Sequence, residues 1–147
     1  METEETQTTE SSSSNNPQNS KIKSDEELIK NLISDATKGD INSLLKLGKL
    51  YFHGSWILEY YDEEKKTKIV HTTPNIKESK EIFEKIVKEH KNKIEAIFYL
   101  GRIYLFGDEN IKNVNKAIEY FEIGAQINHA PSLHFLGKLP LQKLIFF

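Results

Sequence analysis

One helix-sized pattern recurs three times along the chain, and this internal repeat limits the possible folds more than any other feature of the sequence. In each copy a leucine is followed directly by a glycine. The three pairs are Leu47–Gly48, Leu100–Gly101 and Leu136–Gly137. The second and third leucines lie 36 residues apart, and the first and second lie 53 apart because an additional segment intervenes. This period is typical of stacked helix pairs, since one pair cannot bury its apolar face alone. The sequence therefore predicts an all-α fold, a short α-solenoid of antiparallel helix pairs.

Apolar residues at helical spacing divide each repeat into a first helix, A, and a second helix, B. The predicted A helices span about 41–53, about 93–106 and a segment that begins near Pro131. The predicted B helices span about 24–39, about 76–91 and about 111–127. The glycine after each leucine removes a side chain from helix A, so we expect the partner helix to approach closely there. Gly39 and Asn128 occupy equivalent stop positions, and both favour the left-handed backbone of a helix end.

The repeats also set the domain boundaries. Residues 1–20 contain four acids, no base and no large apolar residue after Met1, which predicts a disordered, acidic, serine-rich tail. Phosphorylation of Ser11–Ser14, which follow Glu10, is an alternative role for this tail. A single repeat domain is expected over 21–147. Its parts are a B-like helix at 24–39, a first repeat at 41–91, a second repeat at 93–128 and an incomplete third repeat at 130–147.

The segment 55–75 interrupts the first repeat. Its halves, WILEYY and TKIVHTT, are rich in aromatic and β-branched residues, and the charged DEEKK between them is suited to a turn. This pattern favours an inserted β-hairpin over a continued helix through WILEYYDEEKK. Trp56, Tyr60 and Tyr61 are expected to seal the insertion against the first repeat. An exposed aromatic contact patch is the alternative.

The third repeat departs from the other two at Pro140, which replaces the tyrosine found at Tyr51 and Tyr104. Proline inside a helix costs about 3 kcal/mol, so we expect the helix to stop before it. The residues that follow, LQKLIFF, are mostly apolar. They are interpreted as a cap that folds back on the second repeat, as a contact with a partner or membrane, or as the sign of an array that is truncated.

Composition excludes several classes of site. The sequence has no cysteine, so disulfides, thiolate metal ligands and thiol nucleophiles are excluded. The net charge is −2, which gives no reason to expect nucleic acid as a partner. No apolar run approaches the ~20 residues of a membrane-spanning helix. The five histidines show no metal-ligand spacing, and no nucleotide or nucleophile motif occurs. We expect a cytoplasmic protein without cofactor or metal, whose oligomeric state the sequence leaves open.

Beyond the period, individual residues resemble a known family. The second repeat carries the pattern Ala96, Leu100, Gly101, Tyr104 and Gly107, followed by Asn115, Lys116, Ala117, Tyr120, Phe121 and Ala125. This pattern resembles the Sel1-like repeat, a relative of the tetratricopeptide repeat. The resemblance covers 94–130 fully and 41–54 and 76–90 in part. It implies a non-enzymatic adaptor that arranges partner proteins.

The resemblance also indicates where a partner would bind, because related solenoids use the concave face formed by their A helices. One position on this face is basic in all three copies, at Lys49, Arg102 and Lys138. Two further positions are apolar in the first two copies. They are occupied by Leu45 and Phe98, and by Phe52 and Leu105. These residues suit an extended peptide with acidic and apolar side chains, or a free carboxylate. Ordinary solvated lysine and arginine side chains are the alternative interpretation.

The function that the sequence favours is therefore a non-catalytic scaffold that holds a protein or peptide on the helix A face. Two other hypotheses stay open. The chain is a degenerate repeat fragment without an independent function, or it is an accessory regulatory subunit of an enzyme complex.

Overall fold

Six helices and one two-stranded sheet make up the computed structural model, which describes residues 17–59 and 67–139. The elements in chain order are α1 Pro17–Thr37, α2 Ile41–His53, β1 Ser55–Glu59, β2 Thr67–His71, α3 Ile76–Glu89, α4 Ile94–Phe106, α5 Val114–Gln126 and α6 Ala130–Lys138. Each helix packs on the next one in sequence, and α2 also contacts α4. The predicted all-α array of helix pairs is confirmed, with α2, α4 and α6 as A helices and α1, α3 and α5 as B helices.

The close approach expected at the repeat glycines is present in the first two pairs. A Cβ atom on Gly48 would lie 2.8 Å from the ring of Phe83 in α3, and one on Gly101 would lie 2.7 Å from the ring of Phe121 in α5. Both phenylalanines are fully buried. The phenylalanine of helix B therefore occupies the space that the glycine of helix A leaves, and this contact defines the core of each pair.

An asparagine joins helix A to helix B in the same way in both complete repeats. The backbone N–H of Asn75 donates to the carbonyl of Tyr51 at 2.7 Å, and that of Asn113 donates to the carbonyl of Tyr104 at 2.8 Å. Each asparagine side chain then accepts a hydrogen bond from the first turn of the following helix. Such an N-cap contributes about 1 kcal/mol. The same asparagine hydrogen bonds therefore close both pairs, although residues 55–75 are inserted in only one of them.

Left-handed backbone conformations follow α1, α2 and α5, and those at Gly39 and Asn128 were expected. Gly39 has φ 93°, Gly54 has φ 71° and Asn128 has φ 58°. Leu139, which precedes Pro140, is extended with φ −74° and ψ 146°. A residue before proline is driven out of the helical region by steric contact with the proline ring. The proline therefore accounts for the end of α6 at Lys138.

Two helices begin at different residues from those predicted. The helix expected from 24 begins at Pro17 and therefore includes residues 17–20 of the predicted tail. The rest of that tail, 1–16, lies outside the described residues. Proline is favourable in a first turn, and extending a helix costs far less than starting one. The helix expected from 111 begins at Val114 because Asn113 caps it. Before it, Asp108 accepts hydrogen bonds from the N–H groups of Asn110 and Ile111 and holds a turn.

The inserted segment forms the predicted hairpin. Strands β1 and β2 pair antiparallel, with Trp56 opposite Val70 and Ile57 opposite Ile69. Val70 is buried, and Trp56 packs against the core with the Lys46 ammonium 5.3 Å from its ring centroid. A cavity of about 190 Å³ lies between this hairpin, α1 and α2. Tyr60 and Tyr61 lie outside the described residues.

The outer side of the second repeat is held by a tyrosine stack. Tyr104 and Tyr120 lie parallel with ring centroids 5.8 Å apart, and the Tyr104 hydroxyl donates to Glu84 at 2.8 Å. Lys116 lies over the Tyr104 ring at 4.8 Å. Burial and the hydrogen bond to Glu84 raise the pKa of Tyr104 well above its ordinary range. These contacts link α3, α4 and α5.

Candidate binding site around Arg102

Four aromatic rings surround the guanidinium of Arg102 on the A-helix face. Its Cζ atom lies 4.6 Å from the ring centroid of Phe52, 5.3 Å from Tyr99, 5.7 Å from Phe98 and 5.9 Å from Phe135. These five residues, contributed by α2, α4 and α6, are called the Arg102 cluster. Cation–π contacts of this kind are worth about 0.5–1 kcal/mol each at exposed sites. The cluster therefore joins all three A helices around one positive charge.

The charge of Arg102 is not neutralised within the part of the chain that the structure describes. Among the described side chains no carboxylate pairs with Arg102, and its Nε atom is buried without a hydrogen-bond partner. Arg102 is also the only arginine of the sequence, which otherwise uses lysine for its basic residues. Arginine differs from lysine in having a planar, weakly hydrated group that stacks on rings and binds carboxylates with two parallel hydrogen bonds. The arrangement is suited to binding an anion from outside.

Lys49, the equivalent residue of the first repeat, has a different environment. Its ammonium forms an ion pair with Glu95 of α4 and lies 5.9 Å from the centroid of the Tyr99 ring. Burial lowers the pKa of Lys49. Because Glu95 already neutralises this charge, Lys49 borders the cluster without adding a second free cation.

His53 borders the cluster on the other side. Its Nε2 atom lies 2.9 Å from the Tyr99 hydroxyl, and its ring meets Phe52 edge to face at 4.8 Å. Burial lowers the pKa of His53 below its ordinary value of 6.5, and the charges of Arg102 and Lys49 act in the same direction. Burial raises the pKa of Tyr99, although Arg102 partly opposes that shift. The neutral forms of both side chains are therefore favoured in the folded protein.

The pH dependence of stability should reflect the lowered pKa of His53. The folded protein binds a proton at His53 less readily than the unfolded chain does. The contribution of this histidine to the free energy of unfolding is therefore complete above pH 6.5, and it is lost as the pH falls from 6.5 through the pKa of the folded state. We expect the NMR titration of His53 to have a midpoint below 6.5, and R102Q to raise that midpoint. We also expect H53Q to lose less melting temperature than the unchanged protein between about pH 7 and pH 5. A His53 midpoint at or above 6.5 would contradict this electrostatic description.

An apolar groove continues from the cluster between α4 and α6. Its volume is about 580 Å³, and its lining consists of Leu105, Phe106, Lys112, Val114, Phe135, Lys138 and Leu139. Phe106 is 64% exposed, the largest exposed fraction among the large apolar residues that the structure describes. Phe135 belongs both to the groove and to the Arg102 cluster, so the two form one continuous surface. This groove is called the α4–α6 groove.

The predicted site residues are only partly brought together. Arg102, Phe52 and Phe98 meet in the cluster, and Lys49 borders it. Leu105 and Lys138 line the α4–α6 groove instead. Leu45 does not line this surface, because it is 7% exposed and belongs to the core. Helix α2 buries three consecutive residues, Ser43–Leu45, so its buried surface is wider than one stripe.

The repeat pattern does not reveal Tyr99 and Phe135, which complete the ring around Arg102. Both directly precede the repeat leucine, and the first copy has Lys46 at the same place. An aromatic residue in two of three copies is a usable signal. This position differs from the predicted site positions, which have one residue type in all three copies or in the first two. Here the aromatic residues are in the second and third copies.

Comparison with family models, with curated proteins and with solved structures finds no match to this chain. None of the described helices is long and apolar enough to cross a membrane. Within residues 17–59 and 67–139, no group of three histidine, aspartate or glutamate side chains is arranged to hold a metal ion.

Proposed function

We propose that the chain is a short Sel1-like repeat protein that holds a segment of another protein on the face formed by α2, α4 and α6. The observation that carries this proposal is the Arg102 cluster, in which an arginine without a carboxylate partner among the described residues is gathered with four aromatic rings from three successive A helices. Contacts between repeats are usually apolar. A half-buried cation on a shared surface is better explained by an external anion than by packing alone.

The Sel1-like assignment is supported by the contacts that the motif residues make. The repeat glycine receives the phenylalanine of helix B, the tyrosines of the second repeat stack, and an asparagine closes each pair. The adaptor role follows from this resemblance. A non-catalytic protein without a nucleic-acid partner and a cytoplasmic location stay predictions from the sequence.

Charge reversal at Arg102 tests the proposal. We expect R102E to reduce capture of partner proteins by the immobilised full chain at least about ten-fold, since removing one member of a buried charge pair costs about 2–5 kcal/mol. The matched control is K85E, which reverses an exposed charge on helix B. Quantitative mass spectrometry of proteins captured from the source cell provides the measurement, and circular dichroism checks that both variants are folded. Identical capture by R102E and the unchanged protein would argue against the A-helix face.

A further inference from the structure

We infer that the ligand of this face is a peptide segment that places a carboxylate on Arg102 and a bulky apolar side chain in the α4–α6 groove. The inference deepens the proposed function, on which it rests, by naming the chemistry of the bound segment. The two subsites are joined through Phe135, whose ring lies 5.9 Å from the Arg102 Cζ atom and 5.9 Å from the Phe106 ring centroid.

The carboxylate subsite is inferred from the burial and the missing hydrogen-bond partner of the Arg102 guanidinium. Its Nε atom is buried without a partner, while Arg102 as a whole is only half-buried, so a ligand reaches the remaining part of the side chain. Aromatic rings screen charge far less than water does, and an anion bound among them is attracted more strongly than at an open surface. Arg102 is the one cation of this subsite without an ion-pair partner among the described side chains, and one carboxylate matches its charge. Lys49 adds no second charge here because Glu95 is its ion-pair partner.

The apolar subsite follows from the composition and volume of the groove. Five of its seven lining residues are apolar, and about 580 Å³ falls in the range of ligand pockets. Phe106 is 64% exposed, which places a large apolar ring in water unless a ligand covers it. Lys112 and Lys138 stand at the same groove, and neither has a carboxylate partner among the described side chains. The surroundings of the apolar anchor thus also favour a segment with negative charge.

The spacing of the subsites constrains the ligand sequence. In an extended peptide, side chains two residues apart lie on the same face, about 7 Å from each other, and those four apart lie about 13 Å from each other. The path from Arg102 over Phe135 to Phe106 spans two steps of 5.9 Å. We therefore expect Asp or Glu separated by two or four positions from Leu, Ile, Phe or Trp.

Peptide selection on the full-length chain tests this inference. A phage-displayed library of random dodecapeptides is selected in parallel on the unchanged protein, on R102Q and on K85Q, the matched control on helix B. We expect the unchanged protein and K85Q to enrich the acidic–apolar pattern, and R102Q to enrich sequences without the acid. F106S, which alters an exposed side chain, should keep the acidic preference and lose the apolar one.

The most enriched peptide is then synthesised with a fluorophore and titrated by fluorescence anisotropy. We expect R102Q to weaken its binding at least about ten-fold and K85Q to leave it unchanged. Replacing the acid of the peptide by its amide should weaken binding to the unchanged protein by a similar factor, with little further loss on R102Q. R102K keeps the charge but not the planar group, and we expect its affinity to be intermediate.

The outcomes separate the inference from the proposed function. Enriched peptides without an acidic residue would overturn the inference and leave the scaffold function in place. No enrichment on any form of the protein would overturn both. Sedimentation of the unchanged protein as a dimer, with F106S as a monomer, would show that a second copy occupies the groove and would overturn the inference.

Discussion

Phe121→Ala is expected to lower the free energy of unfolding by about 3–5 kcal/mol, because truncating a fully buried phenylalanine leaves a large cavity. Phe121 is fully buried in α5, where its ring faces Gly101 and stacks on Phe135 of α6 at a centroid distance of 5.1 Å. Truncation removes the contact that closes the second pair and the contact that holds α6 to it. The loss is a large fraction of the total stability of a small domain, which is about 5–15 kcal/mol.

Chemical denaturation followed by circular dichroism measures this change. The matched control is Phe106→Ala, which removes the same ring from a side chain that is 64% exposed and should change stability by no more than about 0.5 kcal/mol. In F121A, hydrogen exchange should accelerate first in α5 and α6, because helices of a repeat array are stabilised mainly by their neighbours. Equal losses in F121A and F106A would contradict the assignment of Phe121 to the core.

Gly101→Ala is expected to lower the free energy of unfolding by about 1–3 kcal/mol, although alanine is the better helix former. The added methyl group would lie 2.7 Å from the Phe121 ring, and that ring is fully buried against its neighbours. Overpacking therefore outweighs the gain of about 1 kcal/mol in helix propensity.

Gly137→Ala is the control for this prediction, because Gly137 occupies the equivalent position in the third copy and no described atom lies within 4 Å of its added Cβ. We expect this variant to be neutral or stabilised by up to about 1 kcal/mol. Thermal and denaturant unfolding of both variants measures the contrast. A G101A protein as stable as G137A would show that the helices of the second pair are not in close contact at the glycine.

The fold was largely predictable because the repeat encodes helix pairing in local terms. Leucine–glycine pairs, stop residues and apolar spacing predicted α2 at Ile41–His53 as observed, and Gly39 and Asn128 adopt the expected left-handed conformation. The predicted start of a helix differs from the observed one where a local cap decides where the helix begins. The start of α5 depends on whether Asn113 or an earlier residue caps the helix, and periodicity does not distinguish these options.

The candidate site was less predictable, because it depends on which faces of neighbouring helices meet. The position of Arg102 in the repeat marks it as a candidate, and Tyr99 lies three residues before it on the same helix. The rings of Phe52 and Phe135 reach Arg102 only because α2 and α6 lie beside α4. Leu45 is the contrasting case. It shares a repeat position with the half-buried Phe98, yet it is buried in α2. Equivalent positions have different exposure when the repeats have different neighbours.

The inserted hairpin leaves and rejoins the first repeat at one place. The N–H of Thr72 donates to the carbonyl of Gly54 at 2.7 Å, and Asn75 still closes the pair on Tyr51 as Asn113 does on Tyr104. The connection between α2 and α3 therefore accommodates a hairpin while it keeps the backbone hydrogen bond that closes the pair. A different sequence grafted between Glu59 and Thr67 would leave Trp56 and Val70 in place, and the repeat array would display it beside α2.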